Sequence, residues 1–220
     1  MNRYRADMTQ ISSFRYVSDN LLRVRERINQ AAQAAGRDPA TVRLVAVSKN
    51  CPAEAVLAAS AAGQKLFGEN RVQELVAKAP ALPPELEWHL IGHLQSNKAG
   101  KAVAHAACIQ AVDSVELVQR LERLAGETGK RLRILLEVNV SGEASKCGLR
   151  NEDAVRDCVA AALTAGHLEL RGLMTMAPLD APAPELHRVF AGLRELRNRL
   201  AAEFAHPLPE LSMGMSGDFE

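Results

Sequence analysis

Hydrophobic and polar residues alternate along this chain in two patterns that follow one another. Short apolar runs are typical of strands buried in a parallel sheet, and longer segments with apolar residues three and four positions apart are typical of helices with one buried face. A first helix is predicted over residues 18–35, and the most regular helix over residues 185–204. Seven strands are predicted, at residues 42–47, 65–67, 87–91, 108–112, 132–138, 168–173 and 211–213.

This order of elements favours an α/β fold with a parallel sheet. The first four predicted strands begin about 22 residues apart, which is close to one strand–helix unit. Seven such units predict a TIM-type (β/α)8 barrel with an extra N-terminal helix, although a doubly wound open sheet gives the same alternation. Because eight strands close such a barrel, we expect that the eighth strand is missing from this chain. The chain then divides into a flexible N-terminal extension, residues 1–17, and a barrel domain, residues 18–220, that is incomplete at its C-terminal end.

Composition and charge exclude several classes of protein. Apolar residues make up 47% of the 220 residues, which is enough for a large core. The 27 basic and 26 acidic residues give a net charge of +1, so the chain has no field that attracts nucleic acids or membrane surfaces. We expect no signal peptide and no membrane-spanning segment. The four cysteines lack the C-x-x-C spacing of a metal site, so free thiols in a reducing cytoplasm are predicted.

A lysine stands at the end of the first apolar run, where the apolar residues 44–47 and then Ser48 precede Lys49. The strands of a barrel end at the mouth where active sites are assembled. A lysine in that place is a candidate for imine formation with an aldehyde, and burial favours the neutral, nucleophilic amine. We therefore expect Lys49 to be more buried than Lys98 or Lys101. A lysine that extends its amine into water is the alternative interpretation.

Three further strings fall at the ends of predicted strands, where a barrel would bring them together. They are Phe-Gly-Glu-Asn at 67–70, Trp-His-Leu-Ile-Gly-His-Leu-Gln-Ser-Asn-Lys at 88–98, and Leu-Ser-Met-Gly-Met-Ser-Gly at 211–217. In the last string, small residues allow backbone N–H groups and serine hydroxyls to approach an anion, and phosphate sites of this fold follow the seventh and eighth strands. The structural alternatives are a plain turn there, a helix cap at Asn70 and a hydrogen-bonded core histidine at His89.

Together with residues 45–49, 141–148 and 172–176, these strings resemble the pyridoxal phosphate homeostasis proteins, whose barrel is similar to the N-terminal domain of alanine racemase. The resemblance extends from about residue 18 to residue 220. Members of that family continue with a strand that carries Arg-Ile-Gly-Thr, which these 220 residues lack.

The resemblance implies a role for individual residues. It implies that Lys49 forms an internal aldimine with pyridoxal 5′-phosphate, and that Asn70 and His89 lie near the cofactor ring. It further implies that Met174 faces the same pocket. The residues implied at the phosphate group are Ser212, Gly214 and Ser216.

The resemblance also implies a function, which is to store, buffer or deliver pyridoxal phosphate without catalytic turnover. The expected protein is a cytoplasmic monomer, with apo-forms of pyridoxal phosphate enzymes as its partners. An amino-acid racemase or lyase is the alternative, and a cofactor-free aldolase that uses a strand-end lysine is a third class. Racemisation needs a second base, which alanine racemase takes as a tyrosine from another domain. The only tyrosines here are Tyr4 and Tyr16, in or near the N-terminal extension, which argues against a racemase.

Overall fold

The computed structural model describes residues 14–143 and 146–220. In these residues the strands are β1 (Ala46–Val47), β2 (Leu66–Glu69), β3 (Glu87–Leu90), β4 (Cys108–Val112), β5 (Leu132–Glu137), β6 (Leu168–Met174) and β7 (Glu210–Ser212). The α-helices are α1 (Arg15–Ala34), α2 (Ala53–Ala61), α3 (Val72–Lys78), α4 (Ala99–His105), α5 (Val115–Thr128), α6 (Glu152–Leu163) and α7 (Ala183–Glu203). Most of the predicted N-terminal extension, residues 1–13, lies outside the described residues, while residues 15–17 belong to α1.

All seven strands are parallel and lie in their order along the chain, from β1 to β7. The sheet is strongly curled, since a guanidinium N of Arg43, which precedes β1, lies 3.0 Å from a carboxylate O of Glu210 in β7. In a flat sheet six strand spacings would separate these two edges by roughly 29 Å. The predicted TIM-type barrel is therefore confirmed over the described residues, with seven strands where the complete barrel has eight.

The two faces of the curled sheet have different surroundings. The outer face packs against the helices and forms the main core, in which buried strand residues such as Leu90, Ile134 and Leu173 meet the apolar stripes of the helices. The inner face holds a smaller apolar cluster of Cys108, Ala111, Leu135 and Met174. Since side chains alternate along a strand, the division of the buried strand residues between these two clusters shows which of them face the barrel interior.

The first strand is much shorter than predicted. Residues 42–47 were expected to form a buried strand, but only Ala46–Val47 does, and Val47 is 44% exposed. Among the described strands β1 pairs with β2 alone, so it is an edge strand with hydrogen bonds on one side only. Leu22 of α1 is also exposed.

Side chains cap the starts of α6 and α5. Asn151 caps α6, because its side chain accepts a hydrogen bond from the Ala154 N–H at 2.8 Å. At α5 the cap is Ser114, whose hydroxyl accepts from the Leu117 N–H at 3.2 Å. Ser96 begins a short 3₁₀ turn, Ser96–Lys98, ahead of α4 and does not cap that helix. Within the described residues, no helix is long and apolar enough to cross a membrane.

Candidate functional site

The strand ends gather the predicted site residues at one mouth of the barrel. Val47, Gly68 and His89 are neighbours across β1, β2 and β3, and paired residues of a parallel sheet point to the same side. His89 also pairs with Cys108 of the inner cluster, so this side is the barrel interior. Lys49 lies two residues after Val47, beyond the carboxyl end of β1.

Lys49 is exposed, which corrects the expectation of a buried lysine. The reason is that the edge strand β1 ends at Val47 and leaves Lys49 beyond the sheet. Its neighbour Ser48 is buried and still bonded to the sheet, with its N–H donating to the Gly68 carbonyl at 3.0 Å. Among the described residues, no carboxylate forms an ion pair with the Lys49 amine. The amine is thus free to meet a ligand at the mouth.

Asn70 follows β2 and is half-buried at the same mouth. It is not a helix cap, since α3 begins after Arg71 and has no side-chain cap. The chain after β3 passes very close to it, and a Cβ added at Gly92 would lie 2.3 Å from the Asn70 carbonyl O. Asn70 also lines a cleft of about 510 Å³ that His93 and Lys98 border.

His89 is buried inside a hydrogen-bonded chain that crosses the barrel interior. Its Nε2 lies 2.8 Å from Glu87 Oε1, and its Nδ1 lies 2.7 Å from Gln110 Nε2. Arg133 donates to the same Glu87 oxygen at 2.9 Å. Burial lowers the pKa of His89, and the hydrogen bond to Glu87 offsets this only in part. The neutral ring therefore donates from Nε2 to Glu87 and accepts from Gln110 at Nδ1.

The same chain ends at Ser212, whose hydroxyl donates to Gln110 Oε1 at 2.6 Å. Its proton is therefore directed into the barrel rather than toward the loop that follows β7. Gln110 was missed by the sequence reasoning. The available signal was that it is the one polar residue in the strand Cys-Ile-Gln-Ala-Val, at 108–112.

The loop after β7 turns back on itself at Gly214, whose φ of +88° is a conformation that favours glycine. The Met215 N–H donates to the Asp218 carboxylate, and the Asp218 N–H donates to the Met215 carbonyl at 3.2 Å. Within the described residues, the N–H groups of Gly214 and Ser216 have no protein acceptor. This loop therefore offers backbone donors to an anion at the barrel mouth.

Comparison with known proteins identifies the family. Residues 20–220 match the family model for the N-terminal domain of alanine racemase. The chain is 44% identical over 205 residues to the pyridoxal phosphate homeostasis protein of Pseudomonas aeruginosa, with 93% of this chain and 87% of that protein covered. This chain belongs to the pyridoxal phosphate homeostasis protein family.

Solved structures agree with this assignment. PipY of Synechococcus elongatus, solved with PLP bound, is 42% identical to the chain, with a TM-score of 0.76 and coverage of 87% of this chain and 90% of that one. Alanine racemase from Bacillus anthracis has a TM-score of 0.70 at 13% identity and covers 95% of this chain but 51% of its own. The similarity to alanine racemase supports the fold and not the function.

Two more interior residues complete the mouth of this homeostasis-family barrel. Met174 at the end of β6 packs in the inner cluster, where it is paired with Glu137 of β5 on one side and with Ser212 of β7 on the other. The sequence reasoning missed Glu137, which is 5% exposed. Burial and, to a smaller extent, the Asp113 carboxylate raise the pKa of Glu137, while His93 lowers it, and together they bring it to about 7. Glu137 is therefore a carboxyl group that titrates near neutral pH inside the mouth.

Proposed function

We propose that this protein binds pyridoxal 5′-phosphate reversibly at Lys49 and serves to store, buffer or deliver that cofactor. The observation that carries the proposal is the Lys49 amine, which is exposed at the barrel mouth without an ion-pair partner among the described residues. The membership of the family and the relative solved with PLP bound support the choice of ligand.

The residues present fit the cofactor. When bound, pyridoxal phosphate supplies an aldehyde that condenses with a lysine amine, and a pyridine ring that withdraws electrons. Lys49 would supply that amine. The backbone N–H groups of Gly214 and Ser216 would donate to the phosphate, which is the chemistry that an anion cradle of small residues provides.

The side chains below the mouth would orient the ligand rather than react with it. We infer that Asn70, His89 and Met174 would line the site of the ring. His89 is bonded at both ring nitrogens, so it holds its position and has no free proton site to offer a substrate. Ser212 would not donate its hydroxyl proton to the ligand, since that proton is already donated to Gln110. Its role would be to hold its place in the chain of hydrogen bonds.

A carrier is favoured over an amino-acid racemase or lyase. A racemase needs a base on each face of the cofactor, and alanine racemase takes its second base as a tyrosine from another domain. Here Tyr16 lies on α1, and Tyr4 lies outside the described residues. A carrier must also release its cargo, and an exposed lysine is open to exchange with an incoming amine. The apo-enzyme partners, the cytoplasmic location and the monomeric state stay predictions.

Replacing Lys49 by alanine tests this function. The purified chain, titrated with pyridoxal phosphate, is expected to develop a violet absorbance band, and Lys49→Ala is expected to lose it. Lys65→Ala is the matched control, because Lys65 is an exposed lysine at the opposite end of the barrel. A band that persists in Lys49→Ala, or that never forms with the unmodified chain, would contradict the proposal. Steady conversion of amino acids by the protein loaded with pyridoxal phosphate would instead favour the alternative function, an amino-acid racemase or lyase.

A further inference from the structure

The turn that carries Lys49 is held from the outer side of the sheet by four residues that the proposed function does not use. This anchor cluster consists of Ser48, Glu69, Glu74 and Lys78. Its centre is the Lys78 amine at the end of α3, which donates to the Ser48 carbonyl at 2.7 Å, to Glu69 Oε1 at 2.8 Å and to Glu74 Oε2 at 3.2 Å. All three N–H donors of one ammonium group are thus in use.

The inner part of the anchor cluster is a buried ion pair. The Glu69 side chain is 0% exposed and that of Lys78 is 12% exposed. The buried Ser48 hydroxyl donates to Glu69 Oε1 at 2.6 Å. Burial alone would lower the pKa of Lys78, but the bonds to Glu69 and Glu74 outweigh it and raise that pKa. Lys78 is therefore kept charged, which excludes it as the amine that reacts with an aldehyde.

The outer part of the anchor cluster fixes the chain on the other side of Lys49. Asn50 has a φ of +60°, in the left-handed region that non-glycine residues seldom adopt. Its N–H donates to Glu74 Oε2 at 2.8 Å, a bond that lowers the pKa of Glu74, and Lys78 lowers it further. The turn is closed by the Cys51 N–H, which donates to the Ser48 carbonyl at 3.0 Å.

The anchor cluster thus holds the backbone immediately before and after Lys49 and leaves the Lys49 side chain free. Resting on the function proposed above, we propose that Lys78 and Glu74 are positioning residues for Lys49. They fix the 48–50 turn so that the amine enters the barrel mouth in one orientation. A fixed backbone reduces the conformational freedom that is lost when a ligand binds, and so it strengthens and speeds binding.

Glu74→Ala and Glu74→Gln form a matched pair that tests this proposal. Both remove the charge, but the glutamine oxygen can still accept from the Asn50 N–H. Glu74→Ala is expected to weaken pyridoxal phosphate binding, measured by the violet band, about five- to tenfold, the loss expected for one hydrogen bond that orders the site. Glu74→Gln is expected to restore affinity to within about twofold of the unmodified chain. The rate at which the band appears should follow the same order.

A double variant, Lys78→Met with Glu69→Gln, tests the inner part without leaving a buried charge unpaired. It is expected to weaken binding at least as much as Glu74→Ala, while Lys101→Met on the surface of α4 leaves it unchanged. Thermal unfolding without ligand reports whether each variant is folded. The positioning proposal is overturned if the unmodified chain forms the band and the folded variants bind equally tightly and fast, or if Glu74→Gln is as weak as Glu74→Ala. Absence of the band in the unmodified chain would instead overturn the proposed function.

Discussion

Replacing Gly172 with alanine is expected to lower the free energy of unfolding by about 3 kcal/mol or more. Gly172 lies in β6 with a φ of +156°, and it pairs with Glu210 of β7. A Cβ at this position would lie 1.8 Å from the Glu210 carbonyl O, so one of the two strands must move. Urea unfolding followed by circular dichroism measures the change.

The matched control for this substitution is Gly100→Ala in α4. A Cβ at Gly100 would meet only a Leu124 methyl group, at 3.8 Å. Because alanine favours a helix more than glycine does, this variant is expected to be unchanged or up to about 1 kcal/mol more stable. If Gly172→Ala lowered the free energy of unfolding no more than Gly100→Ala does, β6 and β7 would not be paired as closely as described. The placement of Met174 beside Ser212 would then be incorrect.

Glu137 is expected to contribute a loss of stability as the pH rises from about 4.5 to about 7. Burial raises the pKa of this carboxyl from its usual 4.5 to about 7, with Asp113 adding to the effect. Between these values the folded chain holds a proton that the unfolded chain releases, so stability decreases with pH. At about 1.4 kcal/mol per pKa unit the full loss is about 3 kcal/mol, and above pH 7 it stays constant.

Glu137→Gln keeps the shape of the neutral acid and removes the titration. It is expected to remove the Glu137 contribution from the pH profile and to be about 3 kcal/mol more stable than the unmodified chain at pH 8. Glu127→Gln is the control, since Glu127 is exposed and its ion pair with Arg123 contributes a few tenths of a kcal/mol. Parallel profiles for the unmodified chain and Glu137→Gln would show that Glu137 ionises as an ordinary surface carboxylate.

The barrel was predictable because its signal is repeated. Apolar runs with helical segments between them set the order of strands, and the central strand β4 has the predicted bounds of 108–112. Strand β4 has neighbouring strands on both sides, so its backbone hydrogen bonds extend over the same residues as its apolar run. At the edge strand β1 the apolar run is longer than the hydrogen-bonded strand, and four of the six residues predicted for β1 are outside it. The exposure of Lys49 has the same cause. Among the described strands β1 pairs with β2 alone, and an apolar run does not show how many neighbouring strands it will have.

The contacts between distant parts of the chain that shape the site could not be predicted from the sequence in the same way. Lys78 reaches the Ser48 carbonyl across 30 positions of the chain, and no local pattern marks that contact. The direction of the Ser212 proton is set by Gln110, which lies 102 residues away. The first contact follows from the packing of α3 against the outer side of the sheet, and the second from the curl of the sheet, which brings β4 and β7 together across the barrel interior.

We propose that Lys49 is the residue that holds pyridoxal phosphate, and the decisive experiment is to locate the modified lysine. The loaded protein can be reduced with sodium borohydride, which fixes the ligand to the amine that carries it, and then digested for peptide mass spectrometry. We expect the pyridoxyl phosphate mass on the peptide that contains Lys49, with Lys65 and Lys78 unmodified. Modification mainly at another lysine, or spread evenly over the exposed lysines, would contradict it.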